Sequence, residues 1–178
     1  MQLHLTTGTI TYMEGIKQKH PEVHIGAMGQ DAMLYYEDDS KDSIFSSRHS
    51  YTVDHSDGDL GENNATSVHF IPIAENKTGV MLGHLSDLNE KLQKVNGVMS
   101  YRIGKSVNDE SYAVLIQWAA ASTYNDFKET DDYRNYLSTE ALKKFRTAES
   151  LFHQSISTKF FLPMKDNEEN TEDPEQEF

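Results

Sequence analysis

Met81, Leu85, Leu88, Leu92 and Val95 recur at alternating steps of four and three, while Asp87, Glu90, Lys91 and Lys94 occupy the opposite side. That spacing predicts an amphipathic helix whose apolar stripe faces a core, with Asn96-Gly97 as its C-terminal stop. Strand patterns flank it. Ala65 to Ala74 sets Val68, Phe70 and Pro72 on one face and His69, Ile71 and Ile73 on the other, and Pro72 suggests an edge position or a strand end. After the helix, Val98 to Ile103 and Ser111 to Ala119 read as a hairpin turned by Asn108-Asp109, with Tyr112, Val114, Ile116 and Trp118 sharing a face. Ser122 is an expected N-cap for a short helix through Phe127, Thr130 to Tyr136 reads as a turn, and Ser138 caps a helix carrying Ala141, Leu142 and Phe145. Ser155 to Leu162 returns as the closing strand.

The order strand, helix, strand, strand, helix, strand is the ferredoxin-like split βαβ pattern, so the expected class is α+β. Upstream, Leu3 and Leu5 mark a first strand that Gly8 is expected to break. Thr9 to His20 follows as a short helix stopped by Pro21. Val23 to Met28 and Ala32 to Tyr36 form a second hairpin across Gly29-Gln30-Asp31, and Ser43 to Val53 reads as a strand pair or irregular extension with Ile44, Phe45 and Tyr51 as its apolar members. Asp54 to Asn64, acidic and glycine-containing, reads as a boundary. The expected organisation is an N-terminal α/β half over 1–62, a ferredoxin-like domain over 63–164, and a disordered acidic tail over 165–178 that carries seven acidic residues against one lysine.

Composition narrows the function classes. A hydrophobic content of 37% over 178 residues is enough to bury a core. A net charge of −13 with 16 Lys and Arg spread along the chain argues against nucleic acid and against anionic membrane surfaces. The absence of cysteine removes disulfides, thiolate metal sites and a cysteine nucleophile. No leader-like N-terminus and no apolar run of membrane-spanning length is visible, so the expected location is cytoplasmic, where the sequons at Asn64 and Asn76 carry no meaning. Asp57-Gly58-Asp59 with Glu62 lacks the spacing of a calcium loop, and His20 and His24 make a weak metal pair. No nucleophile elbow, P-loop or dinucleotide fingerprint is present.

A strand ending in Trp118, followed by Ser122-Thr123-Tyr124-Asn125-Asp126-Phe127, resembles the antibiotic-biosynthesis-monooxygenase (ABM) domain. The whole chain to about Met164 further resembles the signal-transduction TRAP family, which is related to bacterial haem-degrading monooxygenases. The likeness is carried by Phe70 to Pro72, Ser100 to Arg102, Tyr124 to Lys128, Glu140 to Leu142, His153 to Pro163 and Gly8-Thr9, in that family's order and spacing. The resemblance implies a ferredoxin-like module of the dimeric α/β-barrel type with an additional N-terminal α/β half. It also implies a homodimer, because such sheets commonly pair, and a regulatory protein partner that the sequence does not identify.

The resemblance locates a candidate pocket as well. The haem enzymes' asparagine falls on His69, their tryptophan on Phe127 and their axial histidine on Leu137, which has no lone pair to give to iron. The expectation is therefore a TRAP-like regulatory or stress-response protein without a cofactor and without catalysis. The alternative is a haem-binding or haem-degrading monooxygenase that uses His69 in a rearranged pocket with Trp118, Phe127 and Leu137. A cofactor-free monooxygenase would also have to rely on His69. The competing structural reading makes His69 a hydrogen-bonded strand residue and Trp118 and Phe127 core aromatics. For histidine phosphorylation, also implied by the resemblance, His153 is the one matching histidine, since the other two positions fall on Asn64 and Lys77.

Overall fold

The computed structural model describes residues 1–46, 49–146 and 155–171, with side chains through 167. Eight strands form one antiparallel sheet: β1 (Gln2–Thr9), β2 (His24–Met28), β3 (Asp31–Asp38), β4 (His49–Asp57), β5 (Ala65–Pro72), β6 (Val98–Ser106), β7 (Ser111–Trp118) and β8 (Ser157–Phe161). Among the described residues six α-helices accompany them: α1 (Ile10–Lys19), α2 (Thr78–Leu92), α3 (Ala121–Phe127), α4 (Asp131–Tyr136), α5 (Thr139–Leu142) and α6 (Met164–Thr171).

The spatial order β2-β3-β1-β4-β6-β7-β5-β8 contains the same arrangement twice. In each half the strands lie as second, third, first and fourth, which is the ferredoxin-like order, so the N-terminal half is a second split βαβ unit and not a smaller appendage. β4 pairs β6 and joins the two half-sheets edge to edge. The sheet then curls until Ala27 and Leu162 exchange reciprocal backbone hydrogen bonds of 2.8 and 2.7 Å, bringing β2 to the end of β8. The pairing of two such sheets thus occurs inside one chain.

Closure gives every strand an inside and an outside, and the period-2 alternation sorts side chains between them. Leu3, Leu5, Met33, Tyr35, Tyr51, Val68, Ala113, Leu115 and Phe161 fill the lumen. On the outer face of the C-terminal half, Tyr101, Ile103, Tyr112, Val114, Ile116 and Trp118 pack under Met81, Leu85, Leu88 and Leu92 of α2. Burying each of those four α2 side chains contributes about 1.5–3 kcal/mol. On the outer face of the N-terminal half, Met13 of α1 and Phe45 cover Leu34 and Tyr36.

Several local expectations are corrected. Gly8 does not break β1, which pairs with β3 through Thr9; the missing side chain makes room for Met13, whose Cε would lie 2.7 Å from a Cβ there. The boundary read at Asp54 lies inside β4, which continues to Asp57 across an irregularity between Val53 and His55 because β6 supplies the ladder. Of the two expectations for Pro72 the strand end holds, since it is the last residue of β5, and the edge position does not, since β5 is flanked by β7 and β8. α2 stops at Leu92, before Asn96-Gly97, although Val95 still packs on the core. Ala120, not Ser122, precedes α3, whereas Ser138 does cap α5 by accepting from the Ala141 N–H. The turn expected at Thr130 to Tyr136 is α4, capped by the Thr130 hydroxyl. The acidic tail begins in α6, where Asn167 is buried and its side-chain amide holds both backbone groups of Gly29 at 3.0 Å; residues 172–178 lie outside the described residues.

One end of the lumen is closed by polar groups. The Gln117 amide donates to the Tyr35 hydroxyl, the Gly61 carbonyl and the Thr66 hydroxyl, and its oxygen accepts from Gly61 N–H and Ser100. Beside it Arg102 pairs with Glu37 and donates to the carbonyls of Asp57, Tyr101 and Gly58 at 2.9, 2.7 and 2.8 Å. Gly58 is required here, with φ at 69° and a hypothetical Cβ only 2.4 Å from the Met99 carbonyl oxygen. Arg102→Met leaves a largely buried carboxylate and three carbonyls without their donor. Urea unfolding is expected to show a loss of about 3–5 kcal/mol, part of which Glu37→Leu in the same chain restores.

Candidate functional site

The strand alternation that lines the lumen with Val68 and Phe70 sends His69 outward, to the face covered by the C-terminal helices. β7 sends Trp118 to the same face two strand positions beyond Ile116, and α3 carries Tyr124 and Phe127 across it. Leu137 follows α4 and turns inward as that helix ends. The structure therefore brings Trp118, Phe127 and Leu137 into one cluster, with His69 at its border against Tyr124.

The cluster is solid. Exposure is 0% for His69 and Trp118 and 2% for Phe127 and Leu137. Trp118 packs against Tyr124 at 5.3 Å and Phe127 at 5.1 Å between ring centroids, Tyr124 stacks on Phe160 at 4.9 Å, and Phe127 meets Tyr133 edge-on. The Trp118 indole N–H donates to Ser67 at 2.9 Å, so its one polar atom is already satisfied. Burial pushes the Tyr124 phenol up to about 12, which keeps it protonated.

His69 has one ring nitrogen, Nδ1, at 3.0 Å from the Thr158 hydroxyl on β8. Its Nε2 is buried with no hydrogen-bond partner among the described residues. Burial lowers its pKa from the ordinary 6.5 to about 4, so the ring is neutral at physiological pH. A neutral imidazole with a free nitrogen is chemically able to ligate a metal, and it is the one feature of the cluster that suits haem. The remainder does not fit. A porphyrin plane needs an open cleft beside the ligand, and here aromatic side chains occupy that space in contact with one another. Leu137 adds no second donor.

The candidates for modification and metal binding form no common site among the described residues. His153 lies outside the described residues. Asn64 sits in the loop before β5, where its carbonyl accepts from Thr66, and Lys77 ends a short 3-10 turn before α2. Glu62 is engaged by Lys17 and the Ile25 N–H, and Asp57 gives its carbonyl to Arg102, so the acidic loop works as a strut. His20 pairs with Glu22, while His24 lies against Tyr35. Among the described residues no group of three or more His, Asp or Glu could hold a metal ion.

One constellation escaped the sequence reading. His4 Nδ1 lies 2.7 Å from the Ser50 hydroxyl, and Nε2 lies 2.8 Å from an Asp38 carboxylate oxygen and 3.0 Å from the Ser40 carbonyl. Serine, histidine and aspartate in this order form the contact pattern of nucleophile activation. Ser50 is buried, however, and His4 is sealed under a stacked Tyr36 ring. The group clamps β1, β3 and β4 together. Nothing local in the sequence announces it, because its members are 34 and 46 residues apart. His84 likewise has no local signal, since its partner lies 52 residues away; its Nε2 bonds the Tyr136 carbonyl at 2.9 Å and ties α2 to the end of α4.

No family model matches the chain. Against individual proteins, signal transduction protein TRAP of Staphylococcus epidermidis is 26% identical over 94% of this chain and 100% of its own length. The chain is a homologue of the TRAP family. TRAP of Staphylococcus aureus is 25% identical over 93% of the chain and 99% of its own length. Among solved structures, a major regulator of staphylococcal pathogenesis superposes with a TM-score of 0.80 at 20% identity, covering 92% of this chain and 99% of that one. A haem-degrading enzyme from Listeria monocytogenes superposes with a TM-score of 0.72 at 15% identity, over 91% and 99% of the two chains. The ABM-like fold is thus shared with both. No helix among the described residues is long and apolar enough to cross a membrane.

The burial of His69 has a thermodynamic signature. Its folded-state pKa lies below the unfolded value, so its contribution to stability is complete above pH 6.5 and is lost as pH falls toward 4. A shift of this size corresponds to on the order of 3 kcal/mol. In His69→Gln, urea unfolding between pH 7 and pH 4 is expected to show a smaller loss of stability than the parent by roughly that amount. An NMR titration of the parent should find the His69 ring still neutral at pH 5.

Proposed function

We propose that this chain is a TRAP-like regulatory protein without enzymatic activity, built on an ABM fold whose substrate cleft has been replaced by core. The observation that carries this reading is the closed packing of His69, Trp118, Tyr124, Phe127 and Leu137 at the position where the resemblance places the haem pocket. Similarity to TRAP along almost the full length of both proteins supports a role in signalling over a role in catalysis. A fold shared with a haem-degrading enzyme supplies the scaffold and leaves the chemistry to side chains, and here those side chains are spent on packing.

The alternative, haem binding through His69, is favoured by the one unpartnered Nε2. A haemin titration of the full chain discriminates between the two. The expected result is no saturable Soret band, and no loss of haem absorbance when ascorbate and oxygen are supplied. A stoichiometric band that His69→Ala abolishes would overturn the proposal and establish the alternative. A stoichiometric band that His69→Ala leaves intact would overturn both.

A further inference from the structure

The lumen of the barrel has two unlike ends. The end at Gln117, Tyr35 and Arg102 is closed by fully paired polar groups. The opposite end opens into a cavity of about 350 Å³ where β1, β5 and β4, β7, β8 have their C-terminal and N-terminal ends respectively. This mouth lies on the inner surface of the sheet and is separate from the helix-covered cluster around His69.

Register fixes what a ligand would meet on entering. Pro72 opposite Ser111 forms the rim; Phe70, paired with Ser157, lies one level in; Val68, paired with Lys159, lies a further level down. Leu5, Tyr51 and Phe70 supply apolar wall. Lys159, partly buried, projects into the same cavity, and among the described residues it has neither a carboxylate partner nor a hydrogen bond. An ammonium group rooted below an apolar wall and without a carboxylate partner is a specific electrostatic feature in a chain of net charge −13. Asp109 stands at the rim, where it accepts from the Ser111 hydroxyl. One unpaired ammonium rooted at the Val68 level and one carboxylate at the rim, with the His49 imidazole and the Tyr51 phenol as the other titratable side chains of the lining, match a ligand with a single negative charge and a neutral body better than a phosphate or any other dianion.

We propose that the barrel mouth is a binding site for a small monocarboxylate with an apolar body, of single-ring or six-to-ten-carbon size. Lys159 pairs with the carboxylate, and the Leu5, Tyr51 and Phe70 side chains enclose the body. The cavity is at the lower end of the roughly 300–1,000 Å³ range of small-molecule sites, and the mouths of β-barrels are among the places where such sites form. The inference does not depend on the regulatory reading above, and it gives a barrel without a catalytic cleft a means of sensing a small acid.

Isothermal titration of the full chain with phenylacetate and with octanoate tests it, with amide NMR shifts to locate the bound molecule. Saturable binding of at least one acid is expected, with a Kd below about 1 mM and shift changes at Leu5, Phe70 and Ser111. Lys159→Met should weaken it by about tenfold or more, Lys159→Arg should retain it, and the neutral analogue phenylethanol should bind about tenfold or more weakly. Ser157→Phe, a change at an exposed position of the mouth, should block it while circular dichroism stays unchanged. The proposal is overturned if neither acid binds saturably, if Lys159→Met or Ser157→Phe binds as the parent does, if inorganic phosphate binds as tightly as the acids, or if the shifts map to the His69 face.

Discussion

The ladder between β4 and β6 is the interaction on which the architecture depends. Without it the chain would be two four-stranded sheets, each with one face covered by helices and the other open to water. With it the two open faces meet around a common lumen, and Ala27 with Leu162 completes the curl. Period-2 alternation then becomes a strict sorting rule. A residue at an odd position of β1 or an even position of β5 faces the lumen, and its neighbour faces a helix or a loop. The separation of the His69 cluster from the barrel mouth is a direct result, since adjacent residues on β5 serve different compartments.

Sorting by compartment explains why the ABM likeness says more about shape than about reaction. The outer face of the C-terminal half needs covering, and α2 to α5 cover it with aromatic and branched side chains packed to ring-centroid distances near 5 Å. An enzyme using that face must leave a gap there and accept the lost contacts. This chain leaves none beside His69. The cost of filling appears instead at two buried atoms on that face without a hydrogen-bond partner among the described residues, His69 Nε2 and the Tyr112 hydroxyl, and as an imidazole held neutral well below its ordinary pKa. That is a modest penalty against the burial of Trp118, Phe127, Leu137 and Phe145.

The legible parts of the sequence were those whose signal is local. The stripe of α2, the alternation of β5 and β7, and the Ser138 cap each lie within one element, and the split βαβ order follows from them. The repeat of the split βαβ order in the N-terminal α/β half is not legible in the sequence, for a physical reason. Its β3–β4 connection carries no helix among the described residues, and β4 mixes Tyr51 and Val53 with His55 and Asp57, so its polarity resembles a loop although β6 holds it as a strand. The His4, Ser50 and Asp38 clamp and the Gln117 network were invisible because their members come from distant strands. His69 was visible as a residue, but its full burial depends on Tyr124 and Thr158, which only the folded chain brings to it.

The two halves share a strand order but not a covering, and this asymmetry accounts for the opening at one end of the barrel. Gly61 and its neighbours reach from the link between the halves into the Gln117 end and close it with paired hydrogen bonds. At the other end the strand termini of both halves converge with hydroxyls, Asp109 and Lys159, and no comparable network spans the lumen among the described residues. A buried polar plug is stable only when every donor and acceptor is matched, as at Gln117. Where that matching is absent, a lone ammonium beside apolar wall is better served by an anion from solution than by further protein, and the open mouth is where the duplicated fold retains room for chemistry.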